Sequence, residues 1–328
     1  MKLPRRQFPY LAAGAAALPA VSRIARAQAY PSRNVRIIVP YTAGGPSDAI
    51  ARLLAQRLTE ALGEHFIVEN RPGAGGSTGT VAVANAAPDG YTLLVAAPDF
   101  PLQPILKAKP PYDAVKQFTP ITLTASMTEM IAVNPSVPAK NLQELIAVLR
   151  ANPGRHQYAS PGVGTPLHLI GEFIYKIKYK VDVIHVPFPG AAQSLTSTIA
   201  GHTSILHGSA FSIMPQAKDG RLRAIVVTSG KRSTFAPDVP TLAEAGVPDF
   251  TSDYISIVMA PAGTPKPIVV DLLNAEIVKT LKLPDVKERL ATLRLEPVGS
   301  APEELAARIK SETEKWSKLV REANIKVE

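Results

Sequence analysis

The chain contains no cysteine. That excludes disulfides, thiolate metal sites and cysteine nucleophiles together, and it is compatible with an oxidising compartment without requiring one. Tryptophan occurs once among 328 residues, and aromatics make up 6%. No Lys/Arg run is interleaved with aromatics, so nucleic acid is not an expected partner. No His-Glu-x-x-His or comparable His/carboxylate spacing marks a metal site, and neither a metal nor a cofactor is expected. Beyond the N-terminus, no segment is long and apolar enough to cross a membrane.

The N-terminus does carry an apolar run. In "MKLPRRQFPYLAAGAAALPAVSRIARAQAYPSR", Lys2, Arg5 and Arg6 precede Leu11 to Val21, and Ala27-Gln28-Ala29 follows as an A-x-A cleavage pattern. This is the grammar of an export signal, removed near Ala29, with periplasmic delivery. The Arg5-Arg6 pair followed by Phe8 favours the twin-arginine route. A membrane anchor is the competing reading, but the run falls well short of the roughly 20 residues a spanning helix needs. Residues 1–29 hold five of the 36 basic residues and no acid, which leaves 31 basic against 27 acidic residues, a net +4. A mild positive balance suits an anionic small ligand.

The remaining sequence alternates short apolar runs with helical periodicity. "VRIIVPY" reads as a buried strand. Pro46 then stands at a first helical position, Ile50, Leu53, Leu54, Leu58, Ala61 and Leu62 follow at helical spacing, and Gly63 ends the run. "HFIVEN" and "YTLLVAA" are further strands, with the loop "RPGAGGSTGT" and the short helix "VAVANAA" between them. The pattern restarts with the strand "EMIAVNP" and the helix "NLQELIAVLRANPG". Two further strand–loop–helix segments follow, at "HQYASPGVGTPLHLIGEFIYKI" and "VDVIHVPFPGAAQSLTSTIAG". Strand–helix–strand order predicts an α/β fold with a largely parallel sheet. Two Rossmann-like domains are expected: residues 30–125 joined by 251–328, and residues 126–250. The last helix is expected over roughly Pro302–Glu322.

Three loops bear on chemistry. Thr42-Ala43-Gly44-Gly45 leads into the helix begun by Pro46, whose free N–H groups and dipole favour a carboxylate or phosphate oxygen. A plain strand–helix turn explains that stretch equally well. Asp48 suits the dipole of the same first turn, or faces a ligand. "SPGVGTPLH" repeats the device, with Ser160, Gly162, Val163, Gly164 and Thr165 at a second helix start. There Thr165 also serves as N-cap and Pro166 as the first helical residue. "RPGAGGSTGT" matches neither a dinucleotide G-x-G-x-x-G nor a P-loop and reads first as close backbone packing, with a wall of the site as the second reading. "HGSAF" resembles a hydrolase elbow only loosely, because His207 and Phe211 stand where glycines are needed. A lone histidine such as His168, His185 or His207 is more often packed than catalytic.

"VPYTAGGPSDAIAR", "VENRPGAGGSTGT", "PDGYTLL", "YASPGVGTPLHL", "HVPFPGA", "LRAIVVTS", "PDVPTLAEAG" and "APAGTP" occur in that order. Together they closely resemble the substrate-binding proteins of tripartite tricarboxylate transporters, the Bug-type receptors, over essentially the whole mature chain. The resemblance implies a two-domain Venus flytrap of the type II periplasmic binding-protein kind, acting as a monomer without enzymatic activity. It implies a small carboxylate in the interdomain cleft, held mainly by main-chain amides, hydroxyls and waters, and transient contact with membrane transporter subunits. Carried over, the binding residues are Tyr41, Thr42, Ala43, Gly44, Gly45 and Asp48 in the first loop. Pro98 and Asp99 follow the third strand, and Ser160, Gly162 to Thr165 and His168 form the second loop. Phe188, Pro189, Gly190 and Ala191 flank the cleft, and Ser209 completes the set. The family often has "HVPYKG" where Phe188-Pro189-Gly190 stands, Gly-x-Val-Asp where Thr203-Ser204 falls, and a tryptophan near Tyr254. Loss of the lysine and the presence of Phe188 lean toward a less polar acid. Two other readings use the same loops: an exported α/β enzyme acting on a phosphate or acyl substrate, and a receptor serving a sensor kinase.

Overall fold

The computed structural model describes residues 30–325, so the expected export signal lies outside the described residues. The first run comprises β1 (Val35–Val39), α1 (Pro46–Leu62), β2 (Phe66–Asn70), α2 (Ser77–Ala84) and β3 (Thr92–Ala96), followed by the short α3 (Gln103–Leu106) and a long β4 (Phe118–Val133). The second comprises α4 (Leu142–Ala151), β5 (Gln157–Ser160), α5 (Pro166–Gly171), β6 (Ile184–Pro187), α6 (Ala191–Ile199), β7 (Ile205–Ser209), α7 (Ala210–Lys218) and β8 (Arg223–Val227). The chain returns through β9 (Asp253–Pro261), α8 (Asp271–Lys282), α9 (Pro284–Thr292), β10 (Glu296–Pro297) and α10 (Pro302–Glu322). α5 continues as a π-helical turn over Glu172–Lys178.

α1 shows how local sequence sets an element. Pro46 occupies its first turn, Ile50, Leu54 and Leu58 are buried on one face, and Gly63 stops it at φ +80° with its N–H on the Thr59 carbonyl. Burying each of those three side chains is worth at most about 1.5–3 kcal/mol. β3 is buried at every residue, as expected for a strand with helices on both faces.

The strands join in the order β2-β1-β3-β9-β4-β7-β5-β6, with β8 and β10 also on β4. The outer pairs β1·β2, β1·β3, β5·β6 and β5·β7 are parallel. The central pairs β3·β9, β4·β9 and β4·β7 are antiparallel. The strand expected at "EMIAVNP" is the end of β4, whose first part was not anticipated. Pro120 and a threonine-rich stretch hide it, and the register slips at Pro120/Thr122 and again at Leu123/Ala125. β4 pairs with β9 through Thr128↔Asp253, then with β7 from Glu129↔Ser209. The division expected at residues 125/126 therefore falls inside β4, which changes partners at Thr128/Glu129.

Two apolar clusters pack on the half of the sheet around β1, β3 and β9, and two on the half around β5 and β7. α10 links them. Leu305 and Ile309 join a cluster of the first half, and Trp316, Leu319 and Val320 join one of the second. No helix among the described residues is long and apolar enough to cross a membrane.

Candidate functional site

The loops after β1 and β5 face one another across the crossover of β4 and β9. Between them lies a cavity of about 450 Å³, which takes in Tyr41, Gly45, Asp48, Pro98 and Asp99 from one side and Gly162, Val163, Gly164 and Thr165 from the other. A cavity of about 740 Å³ adjoins it and reaches Gly44, Ala191 and Ser209. Gly45, Pro46, Glu129, Pro161, Leu167 and Tyr254 line both. No Lys, Arg or His is among the described residues lining either cavity.

In the first loop, Gly44 has φ +89°, a turn that suits glycine. Its N–H donates to Asp48 Oδ2 at 2.9 Å. Asp48 also accepts from Arg52 Nε at 3.0 Å and from Asn70 Nδ2 at 2.9 Å. Burial acts to raise the Asp48 carboxyl, but the Arg52, Gly44 and Asn70 hydrogen bonds prevail and hold it below the usual carboxylate range. Its oxygens are thus engaged by the loop and its neighbours. The N-cap position at Gly45 has no side-chain cap, and α1 opens with the first-turn N–H groups that a helix cannot satisfy itself. Ser47 Oγ lies 2.8 Å from the hydroxyl of Tyr254, tying α1 to β9. Tyr41 donates to Asp99 Oδ1 at 2.5 Å and accepts from the Ala97 N–H at 3.0 Å. Burial pushes the Asp99 carboxyl up to about 6 despite the Tyr41 hydrogen bond.

The second loop is held from behind. Thr165 caps α5, accepting from His168 N at 3.3 Å while donating to the Gly162 carbonyl at 2.8 Å. Gly164 N–H donates to His168 Nδ1 at 3.2 Å. Ser160 is fully buried, with Oγ 2.7 Å from His185 Nε2. His168 and His185 stack with centroids 4.2 Å apart, and burial lowers both, His185 to about 4. Ser160 and His168 therefore shape the loop and do not line the cavities.

Phe188, Pro189, Thr42 and Ala43 line neither cavity. Thr42, Ala43 and Pro189 are exposed, and Phe188 packs against the second-half core. Phe188 thus gives no support for a less polar ligand. Ser209 caps α7 by accepting from Ser212 N at 3.4 Å. His207 is buried between the Tyr175 hydroxyl and the Leu167 carbonyl, each at 3.0 Å, and makes no hydrogen bond to Ser209 among the described residues.

Gln103, Glu129, Pro161 and Leu167 were not anticipated as lining residues, whereas Gly75 belongs to "RPGAGGSTGT", the loop whose second reading was a wall of the site. The signal for Glu129 was an isolated acid in the otherwise apolar "EMIAVNP"; a buried carboxylate needs a partner or a purpose. Tyr254 was legible only as the residue near a family tryptophan.

A family model described as the tripartite tricarboxylate transporter family receptor matches residues 50–325. A protein from the tcbD-tcbE intergenic region of Pseudomonas sp. (strain P51) is 37% identical over 300 residues, covering 91% of this chain and 89% of that protein. Among solved structures, an R. palustris protein with adipate is similar at TM-score 0.77 and 30% identity, covering 90% of this chain and 99% of that one. MatC from Rhodopseudomonas palustris with bound malate gives 0.73 at 32% identity, covering 89% and 100%. The fold is therefore the mixed α/β, type II-like two-domain fold of periplasmic solute-binding proteins. The chain belongs to the tripartite tricarboxylate transporter receptor family, a family of solute-binding proteins.

Proposed function

We propose that this protein is a periplasmic receptor that closes on a small carboxylate and delivers it, as a monomer, to a tripartite tricarboxylate-type membrane transporter. Export by the N-terminal signal places it in the periplasm. Its lobes are residues 30–125 with 251–328 and residues 126–250, and the ligand sits where their loops meet. The observation that carries this reading is the cleft itself. Two helix-start loops from opposite lobes converge on it, with no basic side chain among the lining residues. A carboxylate is then met by first-turn amides and the positive helix ends. The ligand-contacting set is Tyr41, Gly44, Gly45, Pro98, Asp99, Gly162 to Thr165, Ala191 and Ser209. Asp48, Ser160 and His168 hold the loops in shape. The solved relatives with adipate and malate favour a carboxylate over a phosphate. Closure follows from contacts that the ligand makes with the second loop only in the closed state.

The test is a melting and calorimetry screen of refolded, ligand-stripped protein against mono-, di- and tricarboxylates and phosphate esters. A ligand at 100 times its Kd adds about 2.7 kcal/mol of stability. Turnover of a phosphate or acyl ester, with no melting response to any carboxylate, would favour the enzyme reading instead. Interaction with purified transporter subunits, compared with a sensor kinase domain, separates the two receptor readings.

A further inference from the structure

The loop "RPGAGGSTGT" takes no part in the two-loop grip, yet Gly75 within it lines the 450 Å³ cavity beside Gln103, the first residue of α3. Four consecutive residues, Gly73 to Gly76, hold positive φ, Ala74 among them at +49°. A non-glycine residue seldom takes that conformation, and such a bend is kept only where its surroundings need it. What it accommodates is Gln103. A Cβ on Gly75 would lie 2.8 Å from both Nε2 and Oε1 of Gln103, so the carboxamide rests directly on the glycine. Lys107 Nζ ties the two segments together, donating to the Ala74 carbonyl at 3.4 Å and to Ser77 Oγ at 3.3 Å. The Gln103 backbone N–H is fixed on the Asp99 carbonyl at 2.8 Å.

The Gln103 carboxamide has no hydrogen-bond partner among the described residues, and among the described residues lining this cavity it is the one side chain with N–H donors. The neighbouring hydroxyls are engaged. Tyr41 donates to Asp99, Thr165 to the Gly162 carbonyl, and Ser47 pairs with Tyr254. An uncharged donor suits this wall, because a lysine there would pair with Asp99 instead of a ligand.

Resting on the carboxylate-receptor reading above, we infer that Gln103 is a specificity residue, whose carboxamide donates to a hydrogen-bond acceptor at the far end of a two-ended acid. The helix-start loops hold the first carboxylate through backbone amides. Gln103 holds the second acceptor, and Gly75 keeps open the space in which the carboxamide stands. The third glycine-rich loop and α3 thus form a third wall of the site. A monoacid leaves the Gln103 amide without a partner once the cleft closes and water is excluded, and a donor left unpaired in a dry site weakens binding.

The experiment is calorimetry on the native, ligand-stripped protein and on Gln103→Leu and Gln103→Glu, with pairs matched in chain length: succinate and butyrate, glutarate and pentanoate, adipate and hexanoate. The expected result is that native protein prefers the diacid of at least one pair by at least about tenfold, the size of a hydrogen bond to a charged group. Gln103→Leu should abolish that preference. Gln103→Glu keeps the length but replaces the N–H donors by carboxylate oxygens, and should turn the preference against the diacid. Gly75→Ala should weaken the preference as well, because its Cβ displaces the carboxamide. A diacid-to-monoacid ratio that neither Gln103 variant changes overturns the inference and leaves the carboxylate reading standing. So does an equal loss for both members, which a merely structural role would give. Monoacids that bind native protein equally well or better in every pair overturn it without any variant. Native protein that binds no member of any pair overturns both readings. If Gln103→Leu does not fold, Gln103→Glu decides the matter.

Discussion

Glu129→Gln should remove a loss of stability that the ligand-free protein suffers in mild alkali. The unfolded carboxyl ionises near its ordinary value of 4.5, whereas burial of the folded one keeps its proton on to about 8. Between those values the folded state binds more protons than the unfolded state, so stability falls as pH rises through the window and the loss is complete above 8. Each pH unit of separation is worth about 1.4 kcal/mol, which sets a ceiling on the order of 5 kcal/mol. Glu129 lines the cleft and is 5% exposed, so water in the cleft relieves part of the penalty, and a loss on the order of 3 kcal/mol is expected. Glutamine keeps the shape and an acceptor for Ser252 but cannot ionise. The assay is urea unfolding of both proteins at pH 5 and pH 9, compared as a double difference so that every other titrating group cancels. Native protein should lose about 3 kcal/mol more than the variant between the two pH values. Parallel stability curves with equal m-values would refute the claim that Glu129 is buried against its charge.

Asp48→Ala should destabilise the protein by about 1.5–3 kcal/mol, because the Gly44 N–H, Arg52 and Asn70 all lose their acceptor. It should also weaken carboxylate binding; an unchanged melting temperature would show that the first loop does not depend on it. Burial above all lowers His185 to about 4 and His207 to about 3, from an ordinary 6.5. The unfolded chain takes up these protons first, so stability is lost as pH falls below about 6.5, and an NMR titration midpoint near 6.5 for either ring would sink this account. Gly79→Ala should cost about 1–3 kcal/mol by crowding, since a Cβ there would lie 2.8 Å from the Arg71 carbonyl oxygen and 2.9 Å from Pro40 Cα. Gly44→Ala meets no atom within 4 Å and should cost only about 1 kcal/mol, from its positive φ, so equal losses in chemical denaturation would contradict the crowding argument.

Most of the fold was legible because its strands and helices are locally consistent. β1 and β3 are short apolar runs, β1 and β5 run into glycine-rich turns, and α10 spans Pro302–Glu322 as its apolar spacing predicts. β4 was only half legible. Its first part carries Pro120 and exposes no clean alternation, because the strand slips register twice while pairing with β9. That pairing joins residues more than a hundred positions apart, and local sequence holds no trace of such a partner. The bridging role of α10 was hidden for a related reason. Leu305, Ile309, Trp316 and Leu319 form a single apolar face in sequence, yet its two ends enter the cores of different halves.

The site divides along the same line. Glycine-rich helix starts are encoded locally, so both loops were found, but what their groups do depends on neighbours far along the chain. Ser160 was read as a ligand contact, and its hydroxyl lies 2.7 Å from His185 Nε2. Thr165 uses its hydroxyl on Gly162 and His168, and Gly164 its N–H on His168. Much of the hydrogen-bonding capacity that looked available to a ligand therefore stabilises the loops. What the cleft keeps free lies elsewhere: first-turn amides of α1, which suit any carboxylate, and Glu129 Oε1 and the Gln103 carboxamide, which have no hydrogen-bond partner among the described residues. The loops, with the Ser47–Tyr254 pair that ties α1 to β9, are then the common part of the grip, and discrimination among ligands falls to side chains outside them, Glu129 at the strand crossover and Gln103 on α3. Ser47→Ala separates these roles. It removes the link between α1 and β9 while leaving the α1 amides and Glu129 in place. It should lower affinity for every carboxylate that binds by a similar factor, measured by calorimetry. A selective loss for one carboxylate would move discrimination from those side chains to the loop.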